Sequence, residues 1–264
     1  MTYLLRFTLL SILLTVPFIS KSADPEKKHS LYLEWGWNKD WYSKSTITFN
    51  GSGNADFPYN FTVYDVKAND EFRGDRIVTA PFVPQYSFRI GYIFNKEKGL
   101  GIEFNFDHTK YVVTKGQTAH ASGSIDEQQF DADTVLDDPF LLFEHTNGAN
   151  FTMVNFVREK TFHTTSNGHF HFVHTLKCGA GVVIPKTYIL IDQHELDNEF
   201  HVAGWVAGAE TGIKSYYKNH FYLNLAAKFC YADYNNALGI GSGKVSHHFL
   251  AYEALFTFGY QFSL

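Results

Sequence analysis

Ionisable side chains recur at alternate positions in this 264-residue chain, and that spacing limits the chemistry they can do. Glu103 and Asp107 come nearest to a catalytic carboxylate pair, because residues i and i+4 of a strand share a face. At a rise of about 3.3 Å per residue they stand about 13 Å apart, too far to share a proton and beyond the separation of a glycosidase pair. Histidine is abundant, with 13 in all. His169 and His171 share a face and could hold Zn²⁺ with a third ligand, whereas the adjacent His247 and His248 point to opposite faces and chelate poorly. His163, His169, His171 and His201 are expected near one end of the molecule. His108, His120, His145, His194, His247 and His248 are expected near the other. With no His-Glu-x-x-His run and no Cys-x-x-Cys, polar interfacial histidine is the better reading, and neither metal nor cofactor is expected. Cys178 and Cys230 fall on strands separated by a third and on opposite faces, which argues against a disulfide and for small packing residues.

The richest constellation is a set of nine charged residues on the less apolar faces of alternating segments: Glu34, Arg89, Glu103, Asp107, Lys177, Glu210, Lys214, Lys228 and Glu253. Five acids and four bases turned into one interior can pair and satisfy one another. A structural network of ion pairs is therefore expected there rather than a catalytic centre.

The elements that must position these residues are strands. Aromatics make up 17% of the chain, with 26 Phe and 16 Tyr, and charged residues only 19%, which argues against a helical bundle and against disorder. A net charge of -5 provides no electrostatic footprint for nucleic acid. From His248 onward Leu250, Tyr252, Ala254, Phe256, Phe258, Tyr260, Phe262 and Leu264 alternate with Phe249, Ala251, Glu253, Leu255, Thr257, Gly259, Gln261 and Ser263. This period of two gives one apolar, aromatic face and one mixed face. About 16 alternating residues is long for a globular strand, whose usual length is about 5 to 6.

Similar alternation places eight strands near 30–38, 85–94, 99–112, 149–163, 169–184, 199–214, 220–232 and 247–264. Short turns at 95–98, 164–168 and 215–219 then fall at one end, and long connections at 39–84, 113–148, 185–198 and 233–246 at the other. Thr46–Asn50 with Phe61–Lys67, and Gly123–Phe130 with Phe140–Glu144, are read as hairpin extensions beyond that end. Counting them into the sheet would give ten or twelve strands, keeping the even parity.

At the N-terminus Arg6, the apolar run Phe7 to Ile19 and the small residues around Ala23 have the layout of a secretory signal peptide, expected over 1–22 and followed by a 23–264 domain. No window is long and apolar enough for a membrane-spanning helix. If the chain crosses a membrane, it does so as strands.

An even number of antiparallel strands with short turns sorted to one end resembles the small eight-stranded outer-membrane β-barrels, the group of the membrane domain of outer-membrane protein A and the opacity-type surface proteins. The terminal strand carries the likeness, through Phe256, Phe258, Tyr260 and Phe262, while Leu264 departs from the usual final aromatic. The resemblance implies an all-β, antiparallel, transmembrane up-and-down barrel in the bacterial outer membrane, assembled by the barrel-assembly machinery and in contact with outer-membrane lipid and lipopolysaccharide. The expected function is a scaffold whose long extracellular loops, 39–84 and 113–148, carry recognition of a ligand the sequence does not identify. Two alternatives follow from the same resemblance, a lipid A acyl hydrolase and a narrow, porin-like channel for small apolar solutes. The hydrolase pattern His-x-Ser-Asn has its nearest match in His163-Thr164-Thr165-Ser166-Asn167, one residue too long and in a short turn, so no catalytic residue is assigned.

Overall fold

The structure, a computed structural model, describes residues 28–82 and 85–264, so the expected signal peptide at 1–22 lies outside the described residues. In chain order the first strands are β1 (Ser30–Tyr42), β2 (Ser45–Asn50), β3 (Tyr59–Val66), β4 (Ala68–Asn69), β5 (Tyr86–Asn95) and β6 (Leu100–His108). Next come β7 (Tyr111–Val113), β8 (Gln117–Ile125), β9 (Gln128–Leu136), β10 (Leu141–His145), β11 (Phe151–Thr164) and β12 (Phe170–Val183). The chain ends with β13 (Lys186–Ile191), β14 (His194–Phe200), β15 (Gly204–Tyr217), β16 (Phe221–Leu238) and β17 (Lys244–Ser263).

Eight of these strands pair antiparallel in the order β1-β5-β6-β11-β12-β15-β16-β17, and pairing of β17 with β1, from Ser30↔Ser263 to Tyr42↔Ala251, returns the sheet to its start. A closed ring leaves none of these backbones with an open edge along the shared register. Side chains alternate between its two surfaces. In β17, Phe249, Ala251, Glu253, Leu255 and Thr257 are buried while Tyr252, Phe256 and Phe258 are exposed. Each ring strand turns a large apolar side chain outward: Leu33, Ile90, Ile102, Val154, Leu176, Ile213, Leu225 and Phe258. Cross-strand neighbours join these into a belt, as in Ile90↔Phe104↔Val154 and Ile213↔Leu225↔Phe256↔Trp37.

Two inward glycines leave room for rings. A Cβ on Gly91 would collide with the Tyr32 ring, and one on Gly259 with the Tyr222 ring. Tyr32 and Tyr222 meet edge to face at 6.5 Å, and with Ile93, Val157, Val173 and Tyr216 they form a buried cluster toward the short-turn end.

The opposite end is more elaborate. Past the ring, β17 pairs with β2, and β2-β3-β8-β9 continue that sheet. A second sheet, β14-β13-β10-β7-β4, packs with it around a large apolar core that includes Ile47, Phe49, Phe61, Tyr111, Phe143 and Phe249. Three expectations are corrected here. The strand β1 runs on to Tyr42, four residues into the expected loop, because β17 extends beside it. The expected long connection at 233–246 shrinks to 239–243, since β16 and β17 continue as paired strands. Residues 123–130 do not pair with 140–144. The left-handed Asp126 and Glu127, φ 47° and 65°, make a two-residue turn that pairs β8 with β9, and β10 pairs instead with β13 and β7.

Candidate functional site

All nine charged residues singled out by the alternation lie inside the ring, each no more than 5% exposed. Arg89, fully buried, is the hub. Its Nη1 donates to Glu210 Oε2 at 2.6 Å and to Glu103 Oε1 at 3.3 Å, Nη2 to Asp107 Oδ1 at 3.5 Å, and Nε to Ser87 Oγ at 3.0 Å with Glu34 Oε1 at 3.8 Å. Lys177 bridges Glu103 at 2.7 Å and Glu210 at 3.1 Å. Lys228 pairs with Asp107 and, at 3.2 Å, with Glu253. Lys214 reaches Glu159 at 2.8 Å and Glu34 at 3.9 Å, with its ammonium 3.8 Å from the Tyr32 ring centre. A guanidinium has several fixed donors, which is why one Arg can address carboxylates on β1, β6 and β15 at once.

Neutral donors add hydrogen bonds to Glu34, Glu103 and Asp107, while Glu253 Oε2 has no hydrogen-bond donor. The Tyr32 hydroxyl donates to Glu103 at 2.6 Å, Asn224 and Tyr222 donate to Glu34 at 2.8 and 3.1 Å, and Thr257 also donates to Glu34. Ser87 donates to Asp107 at 2.6 Å, and Asn155 links Glu103 to Asn105. Paired and hydrogen-bonded in this way, charges can be held away from water.

Apolar and aromatic layers lie toward both ends of the network. On the short-turn side is the Tyr32–Tyr216–Tyr222 cluster, and a cavity of about 890 Å³ at that mouth has Ile93, Val173 and Tyr216 in its lining. On the loop side Phe151, Tyr111, Phe249 and Tyr234 belong to the apolar core. Glu103 and Asp107, the nearest approach to a carboxylate pair, are both tied up: both bind Arg89, and Lys177 and Lys228 hold them from the other side.

Sequence reasoning missed several members. Asp40 is buried in register with Glu253 and is held by Asn38 Nδ2 at 3.0 and 3.1 Å, while its own N–H donates to Asp70, which pairs with Lys39. Assigning residues from 39 onward to a loop hid it, although Asp40 continues the alternation of Glu34, Gly36 and Asn38. Glu159, toward the short-turn end of β11, joins the network through Lys214.

The histidines divide differently from expectation. His201 belongs to the loop end, where its ring meets Asn236 Nδ2 at 3.0 Å, because it precedes β15 at the same end as the β13–β14 hairpin. His163 and Ser166 of the hydrolase-like run lie at the end of β11 and in its turn. His247 and His248 face opposite ways, buried and exposed, and His247 finds a partner that no sequence spacing announces: its Nε2 lies 3.2 Å from Nε2 of His145 on β10. Tyr111, Phe143 and Tyr234 surround the pair, and His145 Nδ1 contacts Thr187 Oγ1 at 3.0 Å. Burial pushes the His145 pKa down to about 3, so its imidazole is neutral near pH 7. No group of three or more metal-ligating side chains with suitable geometry occurs among the described residues. Cys178 is exposed and Cys230 buried, both as free thiols.

No family model matches the chain, and no curated protein matches it in sequence. Among solved structures, the chain resembles small outer-membrane β-barrel proteins. The outer membrane protein OprG from Pseudomonas aeruginosa is similar at 14% identity and TM-score 0.40, covering 90% of this chain and 98% of that one. Neisserial surface protein A is similar at 8% identity and TM-score 0.36, covering 89% and 97%. The attachment invasion locus protein Ail of Yersinia pestis is similar at 11% identity and TM-score 0.29, covering 90% and 99%.

Removing Arg89 leaves four carboxylates sharing the remaining bases. The substitution Arg89→Ala should cost about 3 to 5 kcal/mol of stability, read as a lowered unfolding midpoint in detergent. An unchanged midpoint would mean that water fills the interior. Acid should act on the loop end through His145. Its imidazole is unprotonated in the folded chain down to about pH 3, whereas the unfolded chain takes up the proton below about 6.5. The stabilisation is therefore complete above pH 6.5 and lost progressively as pH falls toward 3. A His145→Leu variant should lose less stability between pH 7.5 and 4.5 than the native chain, and an equal loss would place the acid sensitivity elsewhere.

Proposed function

We propose that this chain is an integral protein of the bacterial outer membrane, with a sealed eight-stranded barrel that carries a rigid recognition platform at its loop end. The observation that carries the reading is the pairing of two opposite surfaces on one ring: an exposed large apolar side chain on each of eight strands outside, and charged groups in mutual contact inside. Water-facing sandwiches place their apolar faces inward, so this inversion favours lipid as the outer solvent. Strand length agrees. The shortest ring strand, β6, has 9 residues, and about 9 to 11 tilted residues cross a bilayer's hydrocarbon. Trp35, Trp37 and Phe82 cluster beside Phe256 and Phe258 on the outer surface, consistent with an aromatic girdle near the loop-side interface.

In this reading the short turns are periplasmic, and the β17 aromatics Phe256, Phe258, Tyr260 and Phe262 serve as the assembly signal. The interior ion pairs act as a structural plug, with no conducting path. The loop segments, folded into two sheets on an apolar core, present a fixed surface to ligands outside the cell. A lipid A acyl hydrolase would need its histidine and nucleophile on one outward face near the outer leaflet, and His163 and Ser166 sit at the other end of the molecule.

Membrane fractionation with a heat-modifiability gel, followed by planar-bilayer recording, tests the proposal. The native chain should remain with outer membranes, migrate differently before and after boiling, and give no stepwise conductance. A soluble chain without the gel shift would redirect the reading to a secreted β-sandwich, and reproducible channel steps would promote the channel for small solutes.

A further inference from the structure

At the loop end three strands end their sheets among the described residues, β9, β14 and β4, and β9 is the longest of them. The strand β9 ends the extended sheet: it pairs with β8 in unbroken register from Gln117↔Leu136 to Ile125↔Gln128, and among the described residues no strand pairs with its other side. The usual protections of an edge are a bulge, a proline and charged side chains, lysine above all. No bulge, proline or lysine interrupts the nine residues Gln128–Leu136. What the edge does carry is acid. Asp131 and Asp133 project from one face, with side chains 78% and 75% exposed, and His120 of β8 lies between them at 2.9 and 3.1 Å. The sequence from 116 to 157 contains seven acidic residues, Asp126, Glu127, Asp131, Asp133, Asp137, Asp138 and Glu144, and no Lys or Arg.

We infer that the β9 edge is a docking site for a basic, extended polypeptide segment that adds to the sheet as a further strand. Backbone hydrogen bonds of the added strand would supply affinity, and alternate side chains would supply selectivity. Directly opposed residues bring their Cβ atoms to about 5 Å, so Lys or Arg at two alternating positions of the partner would face Asp131 and Asp133. The residues between them would fall on the side of Phe130, which packs against Phe61 and Phe140, and β-branched residues suit that side. A second copy of this chain is disfavoured as the occupant, because it would set the same carboxylates against each other.

The inference rests on the loop end being the recognition platform, and its test separates the two. A fluorescent octapeptide of alternating lysine and valine is titrated by anisotropy onto the full chain folded in detergent micelles, where membrane orientation plays no part. Three comparisons accompany it: a glutamate–valine octapeptide, a lysine–valine octapeptide with alternate backbone nitrogens methylated, and the D131K/D133K variant, whose folding is checked by gel shift. The lysine peptide should bind at least tenfold more tightly than the other two peptides, and D131K/D133K should reverse the preference for lysine over glutamate. Equal binding of the methylated peptide would reduce the site to charge attraction and overturn strand addition. Absence of binding by any peptide would overturn it as well. Binding in micelles but not to intact cells would keep the site and contradict the outward orientation of the loops.

Discussion

The constraint on which the structure depends is that a guanidinium and several carboxylates share a space closed to water. In a ring of eight strands the interior is just wide enough for side chains to fill, so every inward charge must find its partner there. Arg89 meets this condition for Glu34, Glu103, Asp107 and Glu210 simultaneously, from three different strands. The ring register and the interior chemistry are therefore one problem. Slipping any strand by one residue would move its charged side chains to the outer surface and its apolar side chains inward.

That shared dependence also explains the layering. Tyr32 and Tyr222 each do two jobs, donating a hydroxyl to a network carboxylate and presenting a ring to the Lys214 ammonium. Gly91 and Gly259 make space for those rings. At the loop end the ring's own strands β16 and β17 run on into the cap, so the apolar core there continues the barrel wall. The His145–His247 contact is part of that join, linking the second sheet to β17 through two neutral imidazoles.

Much of the ring was legible because alternation is a local signal: Leu223, Leu225, Ala227 and Phe229 state a period of two without reference to any other strand. The same holds for Glu34 and Arg89, each flanked by outward apolar residues. The loop end was less legible for physical reasons. Short strands such as Tyr111–Val113 and Leu141–His145 are buried on both faces or pair with segments far along the chain, so no alternation marks their partners. The β8–β9 hairpin turns on Asp126 and Glu127, which lack the usual Asn-Gly or Asp-Gly signature. Asp40 keeps the period of its strand, but polar residues 38–40 look like a loop when the neighbouring strand is not known. Contacts such as His145–His247, 102 residues apart in sequence, come only from the fold.

The measurement that tests the central claim most directly is a double-mutant cycle on Lys177 and Glu103, whose side chains meet at 2.7 Å and are at most 1% exposed. Lys177→Met, Glu103→Gln and the double variant are compared by reversible unfolding in detergent micelles. A dry, mutually dependent interior should give a coupling energy of about 2 kcal/mol or more, because each single change strands a charge that the double change removes. A coupling within the 0.2 to 1 kcal/mol or so typical of solvent-exposed pairs would show that water reaches the interior and would contradict the sealed barrel.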